Sequence, residues 1–475
     1  MPPSVALAVC AVGVGGLFWL DRDRDARPSP ALWIPVIWLL IASSRMVSQW
    51  LNAGVLEFDN PEQYLEGSPL DRAVFAVLIA GGVAVLAARG RRTGQLLVRN
   101  WPLLLFFLYA LVSVTWSDFP YVAFKRWTKA IGNLVMVMVV LTDPQPAAAL
   151  RRFLTRAGFI LVPASVLMIK YFPEYGRAYL TFVWSTINLG VSSTKNGLGY
   201  VCLLYGLASA WCLLDGIRGA PRGTRLRHVV AHGTILLMVA WLLYKADSAT
   251  SLACFAVGLV MVVITTSQKG RHPLVVHTVV GTFVICGLAA YLFFNGQSVI
   301  VEAFGRDSTL TGRTELWDRL LEFANAPWLG TGFESFWLGD RSEYFWRTFW
   351  WHPNQAHNGY LETYINLGYV GVGFLALTIL AGYHTAAVAC RRDPKTGPIR
   401  LAYVVVAVLY NLTEAAFKGL HPVWIAFMLA STALPLESRR KVRKPLEARM
   451  PGRRAIGAVS PQPAPFLVRP REAER

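Results

Sequence analysis

Apolar runs of about twenty residues recur along nearly the whole chain, and they limit what it can fold into. A helix needs ~20 predominantly apolar residues to cross a bilayer. In lipid every backbone N–H and C=O must be satisfied inside the segment, which leaves helices as the spanning element for such runs. Thirteen candidate spans read out at about 4–20, 31–48, 71–88, 101–117, 130–142, 157–170, 196–214, 229–245, 250–267, 274–294, 362–389, 401–418 and 421–437. The runs at 130–142 and 421–437 are short, which makes twelve the second count. The expected fold class is an all-α polytopic membrane protein with about 12–13 transmembrane helices. Composition agrees, since 16% of the 475 residues are charged against roughly a quarter in soluble proteins. The first run, Val5 to Leu20, has no basic residue before it and reads as a membrane helix, not as a cleaved signal.

The net charge of +18 follows from the membrane, and no nucleic-acid partner is needed to explain it. Lys and Arg collect in alternate loops, as the positive-inside rule requires. These loops carry Arg22, Arg24 and Arg27; Arg89, Arg91, Arg92 and Arg99; Arg151, Arg152 and Arg156; Arg218, Arg222, Arg225 and Arg227; Lys269 and Arg271; and Arg391, Arg392, Lys395 and Arg400. The acidic loop 49–70 falls on the opposite side. This register puts the C-terminus in the cytoplasm and the segment 295–361 outside. The expected organisation is membrane helices over 1–294, one large external loop over 295–361, C-terminal membrane helices over 362–437, and a basic tail over 438–475. The tail is rich in Arg, Pro and Ala and is expected to stay unfolded or to lie on anionic lipid. The six cysteines lie mostly in apolar runs and form no CxxC, so neither a disulfide framework nor a zinc site is suggested.

The long external loop is where function is expected. Its density of Trp, Tyr and Phe suits both an interfacial belt and platforms for sugar rings. Thr311 to Gly332 reads as a helix and a turn: Thr311 or Gly312 caps it, Glu315 reaches back, and Asn325, Pro327 and Gly330 end it. Arg313 then sits in the first turn, where the helix dipole disfavours a cation. Two readings stand side by side. Arg313 grips phosphate oxygens with its planar fork, or it forms a salt bridge with Asp307 or Asp318.

His357 and Asn358 lie where the next apolar helix begins. An imidazole at the membrane surface can take a proton from a hydroxyl. The pair can equally be a helix cap. His352 and His357 are five apart and lack a partnering carboxylate, which argues against a metal; no cofactor is called for.

GRTELWDRLLEFANAPWLGTGFESF, followed by AHNGYLETYINLGYVGVGFL, resembles the paired motif of the O-antigen ligase and O-antigen polymerase superfamily, bacterial membrane glycosyltransferases of the GT-C type. VTWSDFPYVAFKRW (114–127) resembles the family's early outer loop, and GVSSTKNGLGY (190–200) the Lys-Asn-x-Leu-Gly entry of exopolysaccharide polymerases. The resemblance implies that Arg313 binds the pyrophosphate of a lipid-linked donor and that His357 is the base. It implies further substrate contacts from Arg126, Lys195 and Asn358. Arg126 and Lys195 are also explained as snorkelling anchors at the interface. Many ligases carry an arginine near the start of the span at 250. Here the stretch is YKADSATSL, and Lys245 stands nearby in its place, which leans toward the polymerase branch.

The implied function is polymerisation of undecaprenyl-pyrophosphate-linked repeat units at the outer face of the bacterial inner membrane, without metal or nucleotide. The implied partners are the lipid-linked glycan, the bilayer, a chain-length regulator and export proteins. Ligation to lipid A core and transfer to a protein hydroxyl are the alternatives within the enzyme class. A transporter is the alternative outside it, and would show charges within its spans and matched broken helices. The spans are clean apart from Arg45 near an end, and no internal repeat is visible.

Overall fold

The computed structural model describes residues 1–23, 26–51, 67–180, 185–219, 221–296 and 311–434. The basic tail, most of the acidic loop and the first part of the external loop lie outside the described residues. The N-terminal helices are α1 (Pro3–Leu20), α2 (Trp33–Ala42), α3 (Val47–Leu51), α4 (Pro69–Ala88), α5 (Gly90–Arg99), α6 (Trp101–Val112), α7 (Pro120–Leu141), α8 (Pro146–Tyr171) and α9 (Pro173–Gly176). A two-stranded antiparallel hairpin follows, β1 (Arg177–Leu180) with β2 (Ser185–Asn188). Then come α10 (Lys195–Gly219), α11 (Arg222–Ala246), α12 (Ala249–Thr266) and α13 (Pro273–Gly296). The loop after α13 contributes α14 (Thr311–Glu322) and α15 (Asp340–Thr348), and α16 (Gly359–Arg392), α17 (Gly397–Tyr410) and α18 (Pro422–Ser431) follow.

The chain is an all-α polytopic membrane protein. Each of the thirteen runs read from the sequence contains a helix, but they differ in length. Among the described residues, seven helices are long and apolar enough to cross a membrane, or up to eight if α5 and α6, bent by 85°, count as one broken span. Residues 30–42, 273–289, 397–410 and 422–431 form shorter apolar helices. The short ones α17 and α18 are almost wholly buried, so protein surrounds their ends and they need not match the bilayer's thickness. α10 is the centre of the bundle: 83% of its apolar window is buried, against 11% for α1 at the rim. A helix apolar all round belongs inside, which is where α10 sits.

Loops that the charge pattern places together do meet. At one end Arg89 pairs with Asp143 at 3.3 Å, Arg99 donates to the Leu434 carbonyl at 3.1 Å, and Trp211 donates to the Lys395 carbonyl at 2.7 Å. Asp21 is a clasp at this end. Arg151 reaches it at 3.1 Å, His232 at 3.2 Å and His228 at 3.5 Å, tying α1, α8 and α11 together. Burial raises the Asp21 carboxyl, but the two histidines and Arg151 outweigh it and hold the group far below the usual carboxylate range. Asp21, His228 and His232 bring ligand-type atoms within 4.8 Å of one another. The Arg151 guanidinium touches both Asp21 and His228 (3.1 and 3.2 Å) and already supplies the positive charge a metal ion would bring. At the other end, Ser48 donates to Asp71 at 2.9 Å, and Thr250 meets Thr413 at 2.8 Å. Buried Arg45, expected near a span end, binds the carbonyls of Ser192 (3.2 Å) and Tyr175.

The loop between α13 and α16 carries a small core of its own. Leu316, Leu320, Phe336, Trp337, Phe345 and Phe349 pack on Ile365 of α16. Most of the loop's aromatics are therefore structural, while Trp328 and Trp350 are exposed (68% and 63%). Two glycines seat the loop on α16. Gly368 has φ +65° inside α16 and breaks it, and an added Cβ would lie 2.2 Å from the Trp328 carbonyl oxygen. Gly330, at φ +70°, faces the Asn366 backbone equally closely, with its Cβ position 2.4 Å from the Asn366 carbonyl. The break frees carbonyls and amides of α16, and the loop takes them up. Gly332 N–H donates to the Asn366 carbonyl at 2.8 Å and Tyr369 N–H to the Pro327 carbonyl at 2.8 Å. Thus the Gly-x-Gly of the loop and the Asn-Leu-Gly of the helix are two halves of one backbone contact.

Gly368→Ala should therefore cost the backbone strain of about 1–3 kcal/mol plus the clash. We expect a lowered melting temperature and a reduced monodisperse fraction on gel filtration in detergent, and Gly373→Ala, at an open position, should leave both unchanged.

Candidate active site

Arg313 does sit in the first turn of α14, but Asp318 is not the carboxylate it pairs with. Asp307 lies outside the described residues. Arg313 pairs with Glu414, one hundred and one residues on, at 3.4 Å, and donates to the Thr413 carbonyl at 2.8 Å. Glu414 lies in the turn after α17 and is buried (6% exposed). His357 Nδ1 lies 3.3 Å from its other carboxylate oxygen. Asn196, in the first turn of α10, donates to it at 2.8 Å. One carboxylate thus collects an arginine from the loop, a histidine from the mouth of α16 and an asparagine from the central helix.

The charge state of Glu414 follows from these partners. Burial pushes its carboxyl up, but the hydrogen bonds from His357 and Arg313 and the Arg313 charge outweigh that and hold it below the ordinary glutamate value. An ionised carboxylate only accepts hydrogen bonds, so Nδ1 of His357 is the donor in that contact. Nε2 is then left as the acceptor. The amide nitrogen of Gln355 lies 3.4 Å from Nδ1, where it cannot donate to an N–H. The Gln355 oxygen is held by Lys418 at 2.7 Å, which brings a second cation beside the histidine.

The backbone at this place is over-determined. His357 has φ +49°, and Glu334 (+48°) and Leu420 (+57°) are also left-handed without being glycine. Such strain persists only where the surroundings impose it, and it gathers at functional sites. Next to His357, the Glu362 side chain holds the preceding residue, accepting from Ala356 N–H at 2.7 Å and from Trp337 Nε1 at 2.9 Å. Asn358 is the helix cap of the alternative reading: its Oδ1 accepts from Tyr360 and Leu361 N–H, both at 3.0 Å.

The other expected site residues separate. Lys195 is exposed at the first position of α10, one residue before Asn196. Arg126, on α7, donates to the Glu334 carbonyl, while the Glu334 carboxylate accepts from Gly419 N–H at 2.6 Å. Arg126 therefore anchors the loop beside the Glu414 turn. Lys245 is turned elsewhere, into a cavity with Lys170 and Arg177. Sequence reasoning missed Glu414, Asn196, Lys418 and Glu362. The signal for Glu414 was present: an acid in an apolar run, in NLTEAAFKGLHPVW, needs a partner wherever it is buried.

Residues 233–376 match the family described as O-Antigen ligase. Over these residues the chain is similar to the O-antigen ligase/polymerase superfamily. A curated relative, the Exopolysaccharide production protein ExoQ of Rhizobium meliloti (strain 1021), is 24% identical over 352 residues, 71% of this chain and 77% of that protein. The match includes Lys245, Arg313, His357 and Asn358 and stops short of Glu414. The relationship supports an O-antigen ligase/polymerase-type function, a glycosyltransferase or ligase activity, and a lipid-linked glycan as the substrate in the membrane.

Glu414→Gln keeps the shape and removes the charge that Arg313 and His357 share. We expect a loss of about 3–5 kcal/mol of stability, typical of breaking a buried pair, measured by detergent-phase thermal unfolding. Because the folded carboxyl titrates below its unfolded value, its contribution is complete above about pH 4.3 and is lost as pH falls through the lower, folded value. The wild-type melting temperature should thus fall more steeply than that of Glu414→Gln on acidification below that point.

Proposed function

We propose that the chain polymerises undecaprenyl-pyrophosphate-linked oligosaccharide repeat units into exopolysaccharide or O-antigen at the outer face of the inner membrane. The observation that carries this reading is the convergence of Arg313, His357 and Asn196 on buried Glu414, at the end of the bundle where the external loop packs. Glu414 holds Nδ1–H of His357 and leaves Nε2 to take the proton of an acceptor hydroxyl. The hydroxyl oxygen then bonds to the anomeric carbon of the donor as the bond from that carbon to the pyrophosphate oxygen breaks. The electron pair leaves with the carrier pyrophosphate. Arg313 has five N–H donors, of which the bonds to Glu414 and Thr413 use two, and it stabilises the leaving group together with Lys195 and Lys418. Arg126 and Asn358 act by holding the loop and the helix mouth around His357. The pyrophosphate is already an activated leaving group, so the reading needs neither metal nor nucleotide. Chain-length regulator and export proteins are the partners it implies.

Ligation to lipid A core is the second reading, favoured by the family description itself. The two are separated in cells lacking the gene that carry wild type, His357→Ala or Arg313→Ala at matched membrane levels. Polymerisation predicts that long polymer falls at least a hundredfold with both variants, while single repeat units remain on the carrier. Long chains that persist on the carrier and never reach a final acceptor identify a ligase. Full restoration by both variants removes the site assignment and favours transport.

A further inference from the structure

A second group of cations lies apart from Glu414. A cavity of about 410 Å³ opens between the end of α8, the β1–β2 hairpin and the end of α11. Lys170, Arg177 and Lys245 line it, with Thr186, Asn188 and Trp241. Lys170 and Lys245 are each the penultimate residue of a helix long and apolar enough to cross the membrane. The cavity therefore sits at the depth where such helices leave the hydrocarbon. Both ammonium groups lie over the Trp241 ring, at 5.1 and 5.9 Å from its centroid. Arg177 reaches the same space from the hairpin. Its Nε donates to the Ile169 carbonyl at 2.9 Å, which pins the base of the fork. Asn188 is fixed in turn by donating to the Lys245 carbonyl at 3.1 Å.

Two lysines at helix C-termini have an ordinary explanation in the helix dipole and in snorkelling. A pinned arginine from a separate hairpin in the same cavity does not. Three like charges facing one cavity repel unless an anion joins them. No carboxylate does so among the described residues: Glu174 and Asp247 are close in the chain, but neither forms an ion pair with any of the three.

We propose that this cavity binds the phosphate of a lipid at the membrane surface, through Lys170, Arg177 and Lys245. The phosphate oxygens accept from the guanidinium fork and the two ammonium groups, and the acyl or prenyl chain stays in the bilayer beside α8 and α11. Two sources share this chemistry, a polyprenyl-phosphate carrier and a bilayer phospholipid. The site goes beyond the transfer reaction. In the polymerase reading it is where a second carrier-linked glycan would be held, since both reacting glycans are then on carriers. The binding measurement nevertheless stands or fails without reference to polymer formation.

The test is lipid binding to the purified full-length chain in detergent, counted by native mass spectrometry with undecaprenyl phosphate as the probe. The variants are Lys170→Gln/Lys245→Gln, Arg177→Gln, and Lys269→Gln from the opposite end of the bundle as a control. We expect the apparent affinity to drop at least tenfold in the first two and to stay within twofold in the control. Arg177→Lys, which keeps the charge, should recover part of the loss. Arg177 is exposed on the hairpin, so Arg177→Gln reads the answer even where the double variant fails to fold. Competition by phosphatidylglycerol as strong as by unlabelled undecaprenyl phosphate supports the site and names a bilayer phospholipid as its occupant; weaker competition supports it and names the carrier. Affinity within twofold of wild type in Arg177→Gln overturns the proposal. So does binding of inorganic pyrophosphate that both lipids fail to displace.

Discussion

A carboxylate taken out of water is the constraint on which the site depends. Buried Glu414 loses its hydration, and the compensation has to come from donors and cations in fixed places. They come from three parts of the chain that are far apart in sequence: Asn196 of the central helix, Arg313 of α14 and His357 at the mouth of α16. The same carboxylate sets the tautomer of His357. Charge compensation and the orientation of the histidine are thus one interaction, and neither can be altered alone.

The second constraint is backbone satisfaction. α16 is broken at Gly368, and a break at membrane depth leaves amides and carbonyls that lipid cannot serve. The loop segment 327–332 serves them instead. This ties the loop to the bundle at the level of main-chain hydrogen bonds and lets its aromatic core pack on Ile365. Glu362, one turn into α16, then holds Ala356, next to the strained turn at His357. A short chain of contacts thus joins the helix break to the catalytic candidate.

Much of this was legible in the sequence. Apolar runs of spanning length and the alternation of basic loops state the fold class and which loops share an end, because both reflect transfer of single segments between water and lipid. The cap at Asn358, the helix from Thr311 and the unfavourable place of Arg313 were legible for the same reason: they are local. The partner of Arg313 was not. Asp318 is near in sequence, but Asp318 shares its helix, whereas Glu414 is brought in by the packing of α17 against α16. Nor does the sequence distinguish a run that spans from one, like α18, that ends inside protein, since hydropathy is blind to what surrounds a helix.

By itself, then, the sequence determined that the chain lives in a membrane, which segments are helical, and which residues are candidates for phosphate- and proton-handling chemistry. Only the tertiary structure decided how these are grouped. It joined Arg313, His357 and Asn196 on Glu414 and turned Lys245 away into a second basic cavity with Lys170 and Arg177. It also made most of the loop's aromatics a core instead of an open surface. The physical reason is that helix formation and membrane insertion act over one segment at a time. The pairing of buried charges and the closure of a broken helix act between segments, and no pattern within one segment specifies its partner.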